Sequence, residues 1–373
     1  MTEKNKLITD ITLLGKNKIE LLTKIDKPKI GWISIYTPEE ILYAAGIIPY
    51  RITGDVLLKT TNAGAYMHRN ICPYVLSCFE EGLEGIHDFN DGIIIVNACD
   101  ARRKFYDVWK HFINKGFIHM LDMPKHVSSH SKNYYLNQIK NLITAIEKNY
   151  NCKITDANLI KSINLYNETR LLLNNLYDFR KNKTPVISGS QIMGIMKASM
   201  SGSKKIFNEK LAQLLEILKN ESDIDTKAEN KPRIIICGSY FDHTNLIELI
   251  EELGAIVVCE DISNGIKYFE GQIDTALEPI EAIGTYYSEK ASSARMLDSE
   301  KRFQHLYKLI NHYNADAVIY FSLKFCDNNL MDYPYQKEKL KNQGVQTLFL
   351  DIEREVLNIG QIKTRMQAFL ETL

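Results

Sequence analysis

The chain has 373 residues, 45% of them apolar, with 46 basic and 46 acidic side chains and therefore no formal net charge. The apolar share excludes a disordered chain, and at roughly 100 to 200 residues per domain the length predicts two or three domains with a sizeable core. A zero net charge excludes a global field that would draw the protein to nucleic acid or to an anionic membrane, so any anionic ligand must be held by local groups.

The N-terminal stretch MTEKNKLITDITLLGKNKIE lacks the uninterrupted apolar core of a signal peptide. No apolar run approaches the roughly 18 residues that span a bilayer, and a cytoplasmic protein is expected. Seven cysteines at irregular spacings form an odd set in a chain large enough to fold without staples, so reduced thiols are expected rather than a disulfide framework.

Strand and helix signals alternate, which is the pattern of parallel sheets covered by helices. After a helical leader, strands are expected at 29–36, 47–54, 92–99 and 117–124. Between the first two, TPEEILYAAG reads as a helix with Thr37 as N-cap, Pro38 at the first helical position and Gly46 as its stop. Residues 129–220 carry helical spacing with hardly a strand signal and form a helical insert. The polar, proline-closed segment 221–232 reads as a linker. A second α/β region follows over 233–373, with strands at 233–239, 255–261, 316–326 and 345–353. The expected organisation is a lobe over 1–128, the insert over 129–220, the linker, and a second lobe over 233–373, with a cleft between the lobes. In open parallel sheets ligands sit beyond the carboxyl ends of the strands, and chemistry is sought there.

Three cysteines stand at such ends. Cys99 closes its strand ahead of Asp100, Cys326 closes a strand of the other lobe ahead of Asp327, and Cys72 precedes Pro73 at a helix N-cap. Free amides and the helix dipole at these places favour thiolate, the form that binds metal. For any one of them, inert packing as a small buried hydrophobe is the competing reading. Cys78 points to another side of its helix from Cys72 and reads as core, as do Cys152, Cys237 and Cys259, with Cys237 the least certain because it lies near a strand end. Three thiolates without a fourth suit zinc with an open position, an iron–sulfur cluster with one free iron, or a redox thiol set. No CxxC pair occurs, so the ligands must converge from distant segments.

Neither a G-x-x-x-x-G-K-S/T phosphate loop nor GxGxxG is present, and SGSKK at 201–205 reads as a helix start. His126 and His130 are spaced i, i+4 but lack the glutamate of a metalloprotease motif, so they read as a turn rather than a metal pair. Arg102, Arg103 and Lys104 read as a solvated helix face, with a phosphate or partner contact as the alternative.

The segments TPEEILYAAGIIPYRITG, NICPYVLSCFEEGLEG, DGIIIVNACDARRKFYDVW, KFCDNNLMDYP and GQIKTRMQAFLETL resemble, in the same order, the 2-hydroxyacyl-CoA dehydratase and benzoyl-CoA reductase subunit family, in particular its shorter, beta-type subunits. The resemblance runs from about residue 29 to the C-terminus. It implies two Rossmann/flavodoxin-like lobes with a helical insert and one 4Fe-4S cluster in the cleft, ligated by Cys72 of the ICP segment, Cys99 of the ACD segment and Cys326 of the FCD segment. It further implies a paralogous partner subunit in a heterodimer, with a homodimer as the alternative. A separate ATP-hydrolysing iron–sulfur activator and an acyl-CoA substrate are implied as well. The implied chemistry is one-electron dehydration of an (R)-2-hydroxyacyl-CoA through a ketyl radical, with the exposed iron as a Lewis acid. Double-cubane relatives need more ligands, and AIGTYY places Thr285, Tyr286 and Tyr287 where a further cysteine pair would be plausible, so one cubane is expected. Two other readings stand beside this: a component of a benzoyl-CoA-reductase-like, ATP-driven reductase, and a non-catalytic electron-carrying or ligand-binding module.

Overall fold

A computed structural model describes residues 2–55, 58–126, 128–222, 230–290, 293–353 and 359–373. Eight short strands form two four-stranded sheets. The first contains β1 (Lys29–Trp32), β2 (Ile48–Arg51), β3 (Gly92–Asn97) and β4 (Phe117–Asp122) in the order β2-β1-β3-β4. The second contains β5 (Arg233–Gly238), β6 (Ile256–Asp261), β7 (Ala317–Leu323) and β8 (Gln346–Ile352) in the equivalent order β6-β5-β7-β8. Every pairing is parallel. Each sheet reverses its winding between its first and third strands, β1/β3 and β5/β7, and a crevice opens there beyond the carboxyl ends.

All eight strands fall inside the expected segments, and β3 and β5 show the clearest reason, since strands buried on both faces carry near-continuous Ile and Val. Their ends differ. β3 stops at Asn97 and β7 at Leu323, so Cys99 and Cys326 lie past the strands and begin the helices Asp100–Val108 and Asp327–Asn342. Thr37 is not an N-cap. The helix Glu39–Ala44 is preceded by Pro38, while the Thr37 amide closes a turn onto the Ser34 carbonyl at 3.0 Å. Tertiary contacts set that start: the buried Glu39 carboxylate accepts from Tyr268 at 2.7 Å, and buried Glu40 pairs with Arg170. Gly46, at φ +79°, ends the segment as expected.

The insert is helical throughout, with helices Ser129–Tyr150, Asp156–Asp178, Gly189–Ser199 and Lys204–Ser222. Of the expected linker, residues 223–229 lie outside the described residues. The insert helices divide between the sheets. Tyr135, Ile139, Leu142 and Ile146 pack with Ile94 and Val96 of β3, whereas Phe207, Leu211 and Leu214 share a core with Ile235 of β5 and Val258 of β6. The leader helix Glu3–Lys16 joins the second group, and Gly15 lets it approach closely: a Cβ there would stand 2.8 Å from the Ala198 amide. Among the described residues, no helix is long and apolar enough to cross a membrane.

The lobes share one hydrophobic core that contains Ile93 and Ile95 of β3 together with Ile234 and Ile236 of β5 and Phe321 of β7. Tyr74 stacks on Tyr240 across the boundary at 4.2 Å between ring centroids. Arg51 lies between Trp32 and Tyr240 and donates to the Ser263 carbonyl at 2.8 Å. This packing holds the facing carboxyl edges in fixed register.

Buried ionic contacts stiffen the second lobe. Arg180 and Glu260 are fully buried and paired, with Tyr177 also donating to Glu260 at 2.8 Å and Arg180 to the Val257 carbonyl at 2.6 Å. Removing one partner strands a charge, so Arg180→Met is expected to cost about 3–5 kcal/mol in urea unfolding, whereas Lys24→Ala, which breaks an exposed pair with Glu20, leaves the midpoint unchanged. His305 stands between Asp261 and Glu270. Burial disfavours its charge, but the two carboxylates outweigh it and raise the imidazole to about 9 from 6.5. A raised folded-state value stabilises fully below 6.5 and is lost as pH rises through about 9. The difference in urea midpoint between wild type and His305→Gln is therefore expected to be largest at pH 6 and to vanish by pH 9 to 10.

Candidate functional site

Cys72, Cys99 and Cys326 are each the N-cap of a helix. Pro73 starts the first of these helices because its missing N–H would be unpaired there in any case. The Cys72 carbonyl accepts from Val75 at 3.0 Å, that of Cys99 from Arg103 at 3.1 Å, and that of Cys326 from Asn329 at 2.9 Å. Cys99 follows β3 and Cys326 follows β7, the equivalent strand of the other lobe at its winding reversal, and Cys72 comes from the crossover between β2 and β3. Phe325, ahead of Cys326, takes φ +60°, a conformation uncommon for a bulky residue, and this turns the chain so that Cys326 begins its helix.

The thiols interact. Cys72 and Cys326 hydrogen-bond to each other, which pushes Cys326 down to about 6 and Cys72 well up; burial raises Cys72 further and opposes the shift at Cys326. Asn329 Nδ2 donates to Cys326 Sγ at 3.1 Å. Cys72 is also raised by the charge of Cys99. Burial works against a Cys99 thiolate, yet Arg295 and Arg102 outweigh it and lower its pKa, with Arg295 hydrogen-bonded to it. Arg295 in turn is raised above its ordinary range by Cys99 and Cys326 against the cost of burial. Arg102 is 2% exposed and is lowered to about 10, by burial first and then by Arg295. Its Nη1 donates to Ser34 Oγ at 3.0 Å, while Nε of Arg102 and Nε of Arg295 are buried without a hydrogen-bond acceptor among the described residues. Arg51 adds a third guanidinium close enough to disfavour the charge on Arg102. Positive groups crowded out of water against each other need an anion among them.

All seven cysteines are free. Cys78, Cys237 and Cys259 are buried, and Cys152 lies in the turn between the helices Ser129–Tyr150 and Asp156–Asp178. His126 and His130 take no part in the thiol group. Among the described residues, no set of three or more His, Cys, Asp or Glu side chains is placed to hold a single metal ion. A cluster places its thiolates on different irons and therefore does not require them on one centre. The solvated-face reading of 102–104 holds for Arg103, which pairs with Asp100 at 2.6 Å on the surface, and fails for Arg102, whose charge is buried beside Cys99. Arg295 carried no signal at all, since its string SSARML has neither strand nor helix periodicity.

The profile of the family described as 2-hydroxyglutaryl-CoA dehydratase, D-component matches residues 34–373. The chain belongs to that family. The family is named for dehydratase subunits, which are hydro-lyases. The chain is 27% identical over 378 residues to the (R)-phenyllactyl-CoA dehydratase beta subunit of Clostridium sporogenes, covering the full length of both. It is 26% identical to a benzoyl-CoA reductase subunit of Thauera aromatica over 85% of this chain and 83% of that one. It is 24% identical to the lactoyl-CoA dehydratase beta subunit of Anaerotignum propionicum over 93% and 92%.

Proposed function

We propose that this chain is the iron–sulfur subunit of an activator-dependent (R)-2-hydroxyacyl-CoA dehydratase, in which Cys72, Cys99 and Cys326 hold one 4Fe-4S cluster between the lobes. The observation that carries the reading is the meeting of three helix-capping thiols among Arg102, Arg295 and Asn329. The donor set fits the group: a cluster on three thiolates is anionic, and two buried guanidiniums, an amide N–H and three helix N-termini supply the compensation that its burial requires. When bound, such a cluster supplies one-electron chemistry and a coordination position that no protein thiolate fills.

The residues of the chain prepare that site. Arg295 and Arg102 favour the Cys99 thiolate, Asn329 orients Cys326, and the stacked Tyr74 and Tyr240 keep the lobes closed around the thiols. The proposed reaction removes water from the hydroxyacyl thioester to give the 2-enoyl-CoA through a ketyl radical on the thioester carbonyl. A separate ATP-hydrolysing activator lends the electron, which is returned as product forms. The relatives are named as single subunits of larger enzymes, which supports assembly with a paralogous subunit. Seven unbridged cysteines suit a reducing, cytoplasmic setting.

Anaerobically isolated wild type is expected to hold about four irons per chain. Cys72→Ala, Cys99→Ala and Cys326→Ala should each lower that content, and Cys152→Ala should not; equal iron in all four variants overturns the ligand assignment. Asn329→Leu and Arg295→Gln, which remove supporting contacts, are expected to weaken cluster retention or activity about 10- to 100-fold in chelator challenge and coupled assay. The benzoyl-CoA reductase relative supports a second reading, an ATP-driven reductase component. With partner subunit, activator and ATP, conversion of 2-hydroxyacyl-CoA to enoyl-CoA favours the first, and reduction of an aromatic acyl-CoA without dehydration favours the second.

A further inference from the structure

The chain carries no net charge, so an anionic ligand depends on locally gathered cations, and one such gathering stands apart from the thiol group. Lys125, Lys290 and Lys301 line a hollow of about 300 Å³ together with His126, Ser288 and Leu297. A second hollow of about 290 Å³, walled in part by Met123, Pro124 and Met296, shares His126, Ser288 and Met296 with it. The first is rich in cations, and the second offers an apolar wall. Residues 123–125 directly follow β4, whose last residue, Asp122, accepts from Asn97 Nδ2 at the end of β3 at 2.8 Å. Both hollows therefore adjoin the carboxyl edge that carries Cys99, the edge where parallel sheets take their ligands.

Lys290 is 7% exposed, and its Nζ donates to the Tyr268 carbonyl at 2.7 Å and to Tyr286 Oη at 2.8 Å. That leaves the third of its N–H donors without an acceptor among the described residues. Burial lowers its pKa and Arg170 adds to the effect, against the opposite pull of Tyr286. Among the described residues no carboxylate pairs with Lys125, Lys290 or Lys301. The neighbouring acids are engaged elsewhere: Asp298 caps the helix Ser299–Tyr313 by accepting from the Lys301 amide at 2.9 Å, and Glu289 pairs with Lys132 at 3.6 Å. A structural role explains the two bonds of Lys290, but not why three ammonium groups share one hollow without a counter-charge.

One short segment joins the hollow to the thiols. Arg295 hydrogen-bonds to Cys99, and the two residues after it, Met296 and Leu297, line the hollow. The segment is fixed in place. The Leu297 amide donates to the Lys125 carbonyl at 3.0 Å, and Arg302, paired with Asp332 at 2.6 Å, donates to the Met296 carbonyl at 2.6 Å. We propose that this hollow binds the diphosphate of a nucleotide-type ligand, the group that ADP and coenzyme A share, with the uncharged part of the ligand against Met123, Pro124 and Met296. Lys125, Lys290 and Lys301 act on the phosphates as point charges, and the free donor of Lys290 gains its acceptor. For coenzyme A the assignment rests on the acyl-CoA reading above, with the thioester arm running along the 295–297 segment toward Cys99. The diphosphate site itself does not depend on that reading.

Isothermal titration of the full-length apoprotein with ADP, coenzyme A and inorganic pyrophosphate tests the site. Each is expected to bind, and more weakly as salt is added. Lys125→Glu and Lys301→Glu should each weaken binding about tenfold or more, whereas Lys24→Glu, the same change of charge outside the hollow, should leave it unchanged. Lys290→Met should abolish binding; where that variant does not fold, the two surface variants decide. Acetylation of amines by acetic anhydride, read by mass spectrometry, should fall at Lys125 and Lys301 in the presence of ADP and not at Lys24. No binding of any of the three ligands at millimolar concentration overturns the site, and so does equal affinity in wild type and both surface variants. Tighter binding of coenzyme A than of ADP supports the acyl-CoA source; equal or weaker binding overturns that source and leaves the diphosphate site standing. Iron has no part in these measurements, so a chain that binds no iron overturns the cluster reading alone.

Discussion

Negative charge can persist out of water only where positive charge is already fixed around it, and this constraint organises the space between the two lobes. Arg102 and Arg295 sit beside Cys99, Arg295 also acts on Cys326, and Arg51 presses on Arg102 from the lobe boundary. Like charges this close disfavour one another, which is visible in the weakened Arg102 guanidinium. The cations and Cys99 therefore depend on each other: without an anion the arginines are strained, and without Arg295 and Arg102 burial would favour the protonated Cys99 thiol.

The fold supplies the precision this balance needs. Both sheets share one winding order, so each places a crevice at the same relative position, and a cysteine follows the third strand in each. A single core runs through the two lobes, with Tyr74 on Tyr240 and Arg51 between Trp32 and Tyr240. Motion of one lobe against the other would break packed contacts as well as ionic ones, which fixes the geometry around the thiols.

Asn329 and Arg295, which act on the thiols, also line a small polar cavity with Asp261, Cys237, Tyr320 and Gln336, so the groups around the sulfurs are shared with the polar interior of the second lobe.

Much of this was legible along the chain. Runs such as GIIIVNAC and RIIICG announce strands buried on both faces, and Cys-Pro announces a helix start, because these are local consequences of apolar runs and of proline's missing N–H. The helical insert was equally plain from its spacing. Where the residue-level reading failed, distant contacts had the deciding role. Thr37 lost the N-cap because Glu39 and Glu40 are held by Tyr268 and Arg170, which lie far along the sequence. Arg102 looked like a surface residue because it stands in a charged run with Arg103 and Lys104 between Asp100 and Asp107, and Arg295 offered nothing to read. Periodicity determined the eight strands, the insert and the three cysteines at element ends. Only the folded chain could decide that these cysteines face one another among buried cations, since that depends on how segments separated by more than two hundred residues pack, and no local pattern encodes it.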